Sequence, residues 1–152
     1  MRPSSLTTAL VPLLFVVALP GDVIAQGARR YVDPRTAADT AAGPFSGGVL
    51  VGNTFYLAGK IGLTPDRKVP ASAAEEARLV LNDVKATLEK VGMSMDDLVS
   101  VQVFCSDVAH YDVFNRVYRA YFTKEFPARA FLGSGTLLFG ARFEVQGIAV
   151  KR

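Results

Sequence analysis

The apolar and polar positions divide this chain into one continuous apolar run, a glycine- and charge-rich stretch, and a series of short periodic segments. The clearest period is helical. Ala77, Leu81, Val84, Leu88 and Val91 recur at i, i+4, i+7, i+11 and i+14, which places them on one helix face. The spacing predicts a helix over 72–91. Ser72 with Glu75 has the capping-box pattern, and Glu76 adds negative charge at the positive end of the helix dipole. Lys85 and Lys90 suit the other end, and Gly92 suits the left-handed C′ position.

Elsewhere the period is mostly two. Gly48–Val51 and Thr54–Gly59 are β-prone runs joined by Gly52-Asn53, a hairpin signal. Thr64-Pro65-Asp66-Arg67 reads as a turn. Val99, Val101, Val103 and Cys105 alternate with Ser100, Gln102, Phe104 and Ser106, which predicts a strand with the first set facing the core. Asp107 is placed to cap a second helix over about 108–123, with Phe114, Val117, Tyr118 and Tyr121 inward and Pro127 ending the segment. Ala128–Leu132 reads as a strand, 133–140 as a loop and Arg142–Val150 as a last strand. Residues 26–46 read as an extended lead-in. The resulting order, β-β-α-β-α-β-β, predicts an α+β layer fold: a single sheet with two helices packed on one face.

The apolar run Leu6–Pro20 follows Arg2 and precedes Val23-Ile24-Ala25, a small-x-small pattern. This is the layout of a secretory signal, with cleavage expected after Ala25. A membrane span needs about 20 residues, and this run is shorter and carries Pro12 and Pro20. The expectation is a signal peptide over 1–25, one domain over 26–152, a periplasmic or secreted location, and no membrane attachment after cleavage.

Composition narrows the function classes. Of 152 residues, half are hydrophobic and a fifth charged, which excludes disorder and leaves one domain. Seventeen Lys+Arg against fourteen Asp+Glu leaves +3, unclustered and without an aromatic-basic stripe, so no nucleic-acid partner is expected. One His and one Cys exclude an internal disulfide and a His/Cys zinc cage. No phosphate-loop, dinucleotide, nucleophile-elbow or zincin motif is present. His110 lacks a paired nucleophile and reads as structural, Cys105 as core, and Asp96-Asp97 as a solvated turn.

The tail carries the candidate chemistry. If the strands flanking 133–140 pair as an antiparallel hairpin, Arg129 lies opposite Glu144 on one face. The pair is then either a cross-strand ion pair or a site for a small anionic substrate, in which Arg forks a carboxylate and Glu holds a water.

Phe126-Pro127-Ala128-Arg129-Ala130 and Glu144-Val145-Gln146-Gly147-Ile148-Ala149-Val150-Lys151-Arg152 resemble the C-terminal motif of the RidA/YjgF family of enamine/imine deaminases. Gly43-Pro44-Phe45-Ser46-Gly47, Tyr56–Gly62, Ala77–Lys85 and Phe114-Asn115-Arg116-Val117-Tyr118 resemble further family segments in the same order. The resemblance spans about 43–152. It implies a chorismate-mutase-like fold, a homotrimer with ligand sites between subunits, and hydrolysis of 2-aminoacrylate or 2-iminobutanoate to 2-oxo acids and ammonia without a cofactor. By that resemblance Arg129 holds the substrate carboxylate and Glu144 positions water. Phe45, Gly59, Asn115 and Phe131 occupy substrate-binding positions. Phe45 stands where Tyr is common, Ala58 where Ser is, Lys60 where Gln is and Phe131 where Cys is. These departures imply either a changed substrate or a carboxylate-binding trimer without turnover.

Overall fold

The structure, a computed structural model, describes residues 28–39 and 43–152. The expected signal peptide lies outside the described residues. Six strands form one sheet: β1 (Arg29–Val32), β2 (Gly48–Val51), β3 (Thr54–Ile61), β4 (Leu98–Cys105), β5 (Ala128–Gly133) and β6 (Phe143–Val150). Their spatial order is β1-β2-β3-β6-β4-β5. Two helices, α1 (Ala73–Glu89) and α2 (Tyr111–Tyr118), complete the α+β architecture.

α1 forms where its period predicts. Ala77, Leu81, Val84, Leu88 and Val91 are all buried. Ser72 Oγ accepts the Glu75 N–H at 3.4 Å, but the Glu75 carboxylate turns to Arg78 at 2.8 Å, so only half of the capping box forms. At the far end Gly92 takes φ +71°. Gly92 N–H then bonds Glu89 O and Met93 N–H bonds Leu88 O, the paired closure of a left-handed cap. The second helix is broken into turns. A 3-10 turn at Val108–His110, started by Asp107 accepting from Ala109 N–H at 2.8 Å, leads into α2, and another at Arg119–Tyr121 follows it.

Phe55 and Leu57 of β3, Val101, Val103 and Cys105 of β4, and Phe143 and Val145 of β6 form one buried sheet face. Val80, Leu81, Val84 and Leu88 of α1 and Phe114 and Tyr118 of α2 share the same core. His110 meets the edge of Phe143 with ring centroids 5.9 Å apart, a packing role. Burial pushes the Cys105 thiol pKa up, and its Sγ–H donates to Asp107 O.

Four features depart from the sequence expectation. The lead-in contains β1, antiparallel to β2 with Arg30 opposite Leu50. Three of its four residues are exposed, so an edge strand written Arg-Arg-Tyr-Val shows no alternation. Val99 is 47% exposed, because the β4–β6 register shifts between Leu98 and Ser100. That bulge turns Leu98 into the core in place of Val99. Asp96 and Asp97 are engaged rather than simply solvated. Asp96 accepts from the Thr123 and Lys124 N–H groups and the Thr123 hydroxyl, and Asp97 from the Ser94 N–H and hydroxyl.

The most consequential departure is the tail. β5 and β6 are not neighbours. β5 runs parallel to β4, with Arg129 beside Val101, and β6 pairs antiparallel with both β3 and β4. The cause is the helix between β4 and β5. A crossover helix returns the chain to the starting edge, so the next strand runs parallel. α1 does the same between β3 and β4 and leaves a gap that β6 fills. The hairpin across 133–140 therefore does not form.

Glu76 locks this insertion. It is fully buried yet charged, and it accepts from Arg142 N–H at 2.5 Å, Phe143 N–H at 3.0 Å and Arg142 Nη1 at 2.7 Å. The start of β6 is thereby tied to the first turn of α1.

Candidate active site

The strand order places the two tail residues on opposite faces. Arg129 shares its register row with the buried Val101, so it faces the helices. Glu144 lies between Ile61 and Phe104 and alternates with the buried Phe143 and Val145, so it faces away from them. Two strand spacings across the sheet and three residues along it, together about 14 Å, separate their backbones. One chain does not bring them together.

On the helix side, Arg129 is oriented at the sheet edge. Its Nη2 donates to Asn115 Oδ1 at 2.7 Å. Its guanidinium carbon sits 4.6 Å from the Tyr118 ring centroid, 5.8 Å from Phe131 and 5.9 Å from Tyr111. A planar cation stacked on an aromatic face keeps its remaining N–H groups aimed in the ring plane. None of the ion pairs among the described residues involves Arg129. Burial pushes the Tyr118 phenol up to about 12, with Arg129 opposing, so the phenol stays neutral around the arginine. Its hydroxyl is buried without a hydrogen-bond partner. A pocket of about 180 Å³ opens here, lined by Asn115, Tyr118, Arg119, Phe126, Pro127 and Arg129. Pro127 precedes an edge strand, where its missing N–H is tolerated.

On the open face, Glu144 stands beside an irregular stretch of β3. The β3–β6 register shifts between Leu57 and Lys60, which inserts a residue around Ala58-Gly59. A Cβ at Gly59 would fall on Glu144 Oε1, so only glycine admits the carboxylate in this position. Glu144 joins none of the ion pairs among the described residues, which leaves its oxygens available to a water. Lys60 points to the helix side instead and pairs with Asp83 at 3.4 Å.

The remaining expected site residues divide between these halves. Asn115 and Phe131 accompany Arg129, and Gly59 accompanies Glu144. Phe45 is 62% exposed on the segment leading into β2, whose Gly47 O accepts the Ala58 N–H at 3.2 Å. The segment that carries Phe45 therefore enters the sheet next to Ala58. Tyr118 and Arg119 line the pocket in addition to the residues expected from the sequence. Their spacing from Asn115, three and four residues along one helix, was the available signal. Among the described residues no group of three His, Cys, Asp or Glu is placed to hold a metal ion.

A family model described as endoribonuclease L-PSP matches residues 35–151. The bovine (Bos taurus) 2-iminobutanoate/2-iminopropanoate deaminase is 36% identical over 124 residues, 80% of this chain and 90% of that protein. Protein HMF1 of Saccharomyces cerevisiae is 37% identical over 117 residues, 76% of this chain and 91% of that protein. The crystal structure of the YjgF gene product from E. coli superposes with a TM-score of 0.69 at 36% identity, covering 72% of this chain and 90% of that one.

Proposed function

The chain belongs to the RidA/YjgF family, and on that premise we propose that it is an exported imine deaminase acting on short 2-imino acids. The observation that carries the reading is Arg129, held by Asn115 and stacked on Tyr118 with no acidic partner. A carboxylate supplies the missing charge through a forked pair. Relatives named 2-iminobutanoate/2-iminopropanoate deaminases support the substrate class.

In this reading Arg129 fixes the substrate carboxylate and Glu144 orients a water toward the imine carbon. Attack forms a carbinolamine, proton transfer through Glu144 makes the amine a leaving group, and ammonia departs to leave the 2-oxo acid. Because the two residues face opposite sides of one sheet, the reading requires a homotrimer in which Arg129 of one copy meets Glu144 of the next. The open face fits such an assembly, with Tyr56 50% and Leu132 42% exposed on it. The Leu6–Pro20 run would export the precursor, with cleavage after Ala25.

The test is ammonia release from freshly generated 2-iminobutanoate. Wild type should exceed the buffer rate, and Arg129→Ala and Glu144→Gln should each lose about 100-fold in kcat/KM. Co-refolding these two variants in equal amounts should restore about a quarter of the clefts, since head-to-tail contacts then pair an intact Arg129 with an intact Glu144. A folded trimer with no rate above buffer refutes the reading. A second reading, a carboxylate-binding trimer without turnover, draws on the Phe131 ring beside Arg129. Calorimetry with small 2-oxo acids that finds binding while turnover is absent would favour it.

A further inference from the structure

We infer that the pocket beside Arg129 selects imines that carry a second carboxylate, with Arg119 as the residue that reads it. The inference rests on the deaminase reading above and names its substrate class.

Asn115, Tyr118 and Arg119 stand at i, i+3 and i+4, so the end of α2 presents all three to the same side. Arg119 and Arg129 line one pocket, and no acidic side chain lines it. Arg119 is exposed and joins none of the ion pairs among the described residues. Its guanidinium carbon lies 6.0 Å from the Phe126 ring centroid, which gives it a platform as Tyr118 does for Arg129. Tyr118 remains a neutral phenol, so nothing in the wall offsets the two cations. Two guanidiniums facing one cavity repel each other, and one carboxylate relieves half of that charge. A ligand with a carboxylate at each end neutralises both.

Volume agrees with a small diacid. The cavity of about 180 Å³ has room for several waters and for a short diacid. The reaction is unchanged: the C=N bond of the imine adds water and is replaced by C=O, and the nitrogen leaves as ammonia.

The experiment compares two five-carbon imines generated in situ by an amino-acid oxidase, one from glutamate and one from norvaline. They share a chain length and differ in the distal carboxylate. Wild type should favour the glutamate-derived imine in kcat/KM by roughly tenfold or more, the worth of one charge-assisted pair. Arg119→Gln should bring that ratio near one by raising KM for the diacid, and Arg119→Lys should restore part of it. A wild-type ratio of one or less, or a ratio that Arg119→Gln leaves in place, overturns the inference, while turnover of 2-iminobutanoate would still uphold the deaminase reading. No turnover of any imine removes both.

Discussion

Replacing Glu76 with Ala should destabilise the fold more than any change at a single exposed charge. Glu76 is fully buried, and its two oxygens serve three donors. Truncation orphans the backbone N–H groups of Arg142 and Phe143, each costing about 1–3 kcal/mol when buried. It also leaves a guanidinium that is only 26% exposed without its carboxylate. Arg142 keeps the Pro70 and Ala71 carbonyls at 2.9 and 3.1 Å, so its charge is partly supported. The combined loss is about 4 kcal/mol, within the 3–5 kcal/mol typical of breaking a buried pair and a large part of a domain's stability. Glu76→Gln keeps one oxygen for the N–H groups and forfeits the charge, so about 2 kcal/mol is expected. Glu75 is the control, one residue away. Its pair with Arg78 is about half exposed, and Glu75→Ala should cost under about 0.5 kcal/mol. Urea unfolding of the four proteins measures the differences. If Glu76→Ala falls within about 1 kcal/mol of Glu75→Ala, Glu76 does not anchor β6 as argued.

Gly59→Ala should fold with near-normal urea stability yet lose most deaminase activity, because its Cβ occupies the space of Glu144 Oε1; activity equal to wild type would show that Glu144 has room to move. Gly62→Ala places a Cβ against the Glu76 carbonyl and 3.0 Å from Val80 N, so it should instead lower the urea midpoint, whatever the assay substrate. The neutral Tyr118 phenol, pushed up to about 12 by burial, ionises more easily in the unfolded chain. Its stability contribution is full below pH ~10 and is lost as pH rises through ~12, so Tyr118→Phe should flatten the alkaline limb of urea midpoints; parallel limbs would contradict this. The Thr123 hydroxyl and N–H hold the Asp96 carboxyl below its ordinary pKa. Stability from that contact is present above pH ~4 and fades as pH falls further, and Asp96→Asn should shrink this acid-side dependence in thermal melts.

What was legible in the sequence follows the reach of local periodicity. The α1 face, its Ser72 start and its Gly92 end need only neighbours within a few turns, and all formed as the spacing predicts. The Gly52-Asn53 hairpin is equally local, with Val51 paired to Thr54. The bulge at Val99 and the strand at Arg29–Val32 were not legible, since both depend on a partner strand far along the chain. Glu76 is the sharpest case. Beside Glu75 it reads as another dipole charge, and only the approach of Arg142 reveals a buried anchor.

The same limit explains the site. Motif residues point to Arg129 and Glu144 singly, but their spatial relation depends on strand order, which no periodicity encodes. A hairpin would have put them face to face. Two helical crossovers make β3, β4 and β5 mutually parallel and insert β6 between β3 and β4. Side-chain parity then fixes the outcome: β5 residues level with Val101 face the helices, and β6 residues between Phe143 and Val145 face away. No rotamer reverses a strand's parity. Arg129 is reachable from outside the chain only because β5 is an edge, and Glu144 only because no helix covers its face. Each half is thus open to solvent and closed to the other half of its own chain, which is why a domain this small can carry both groups without an ion pair quenching them.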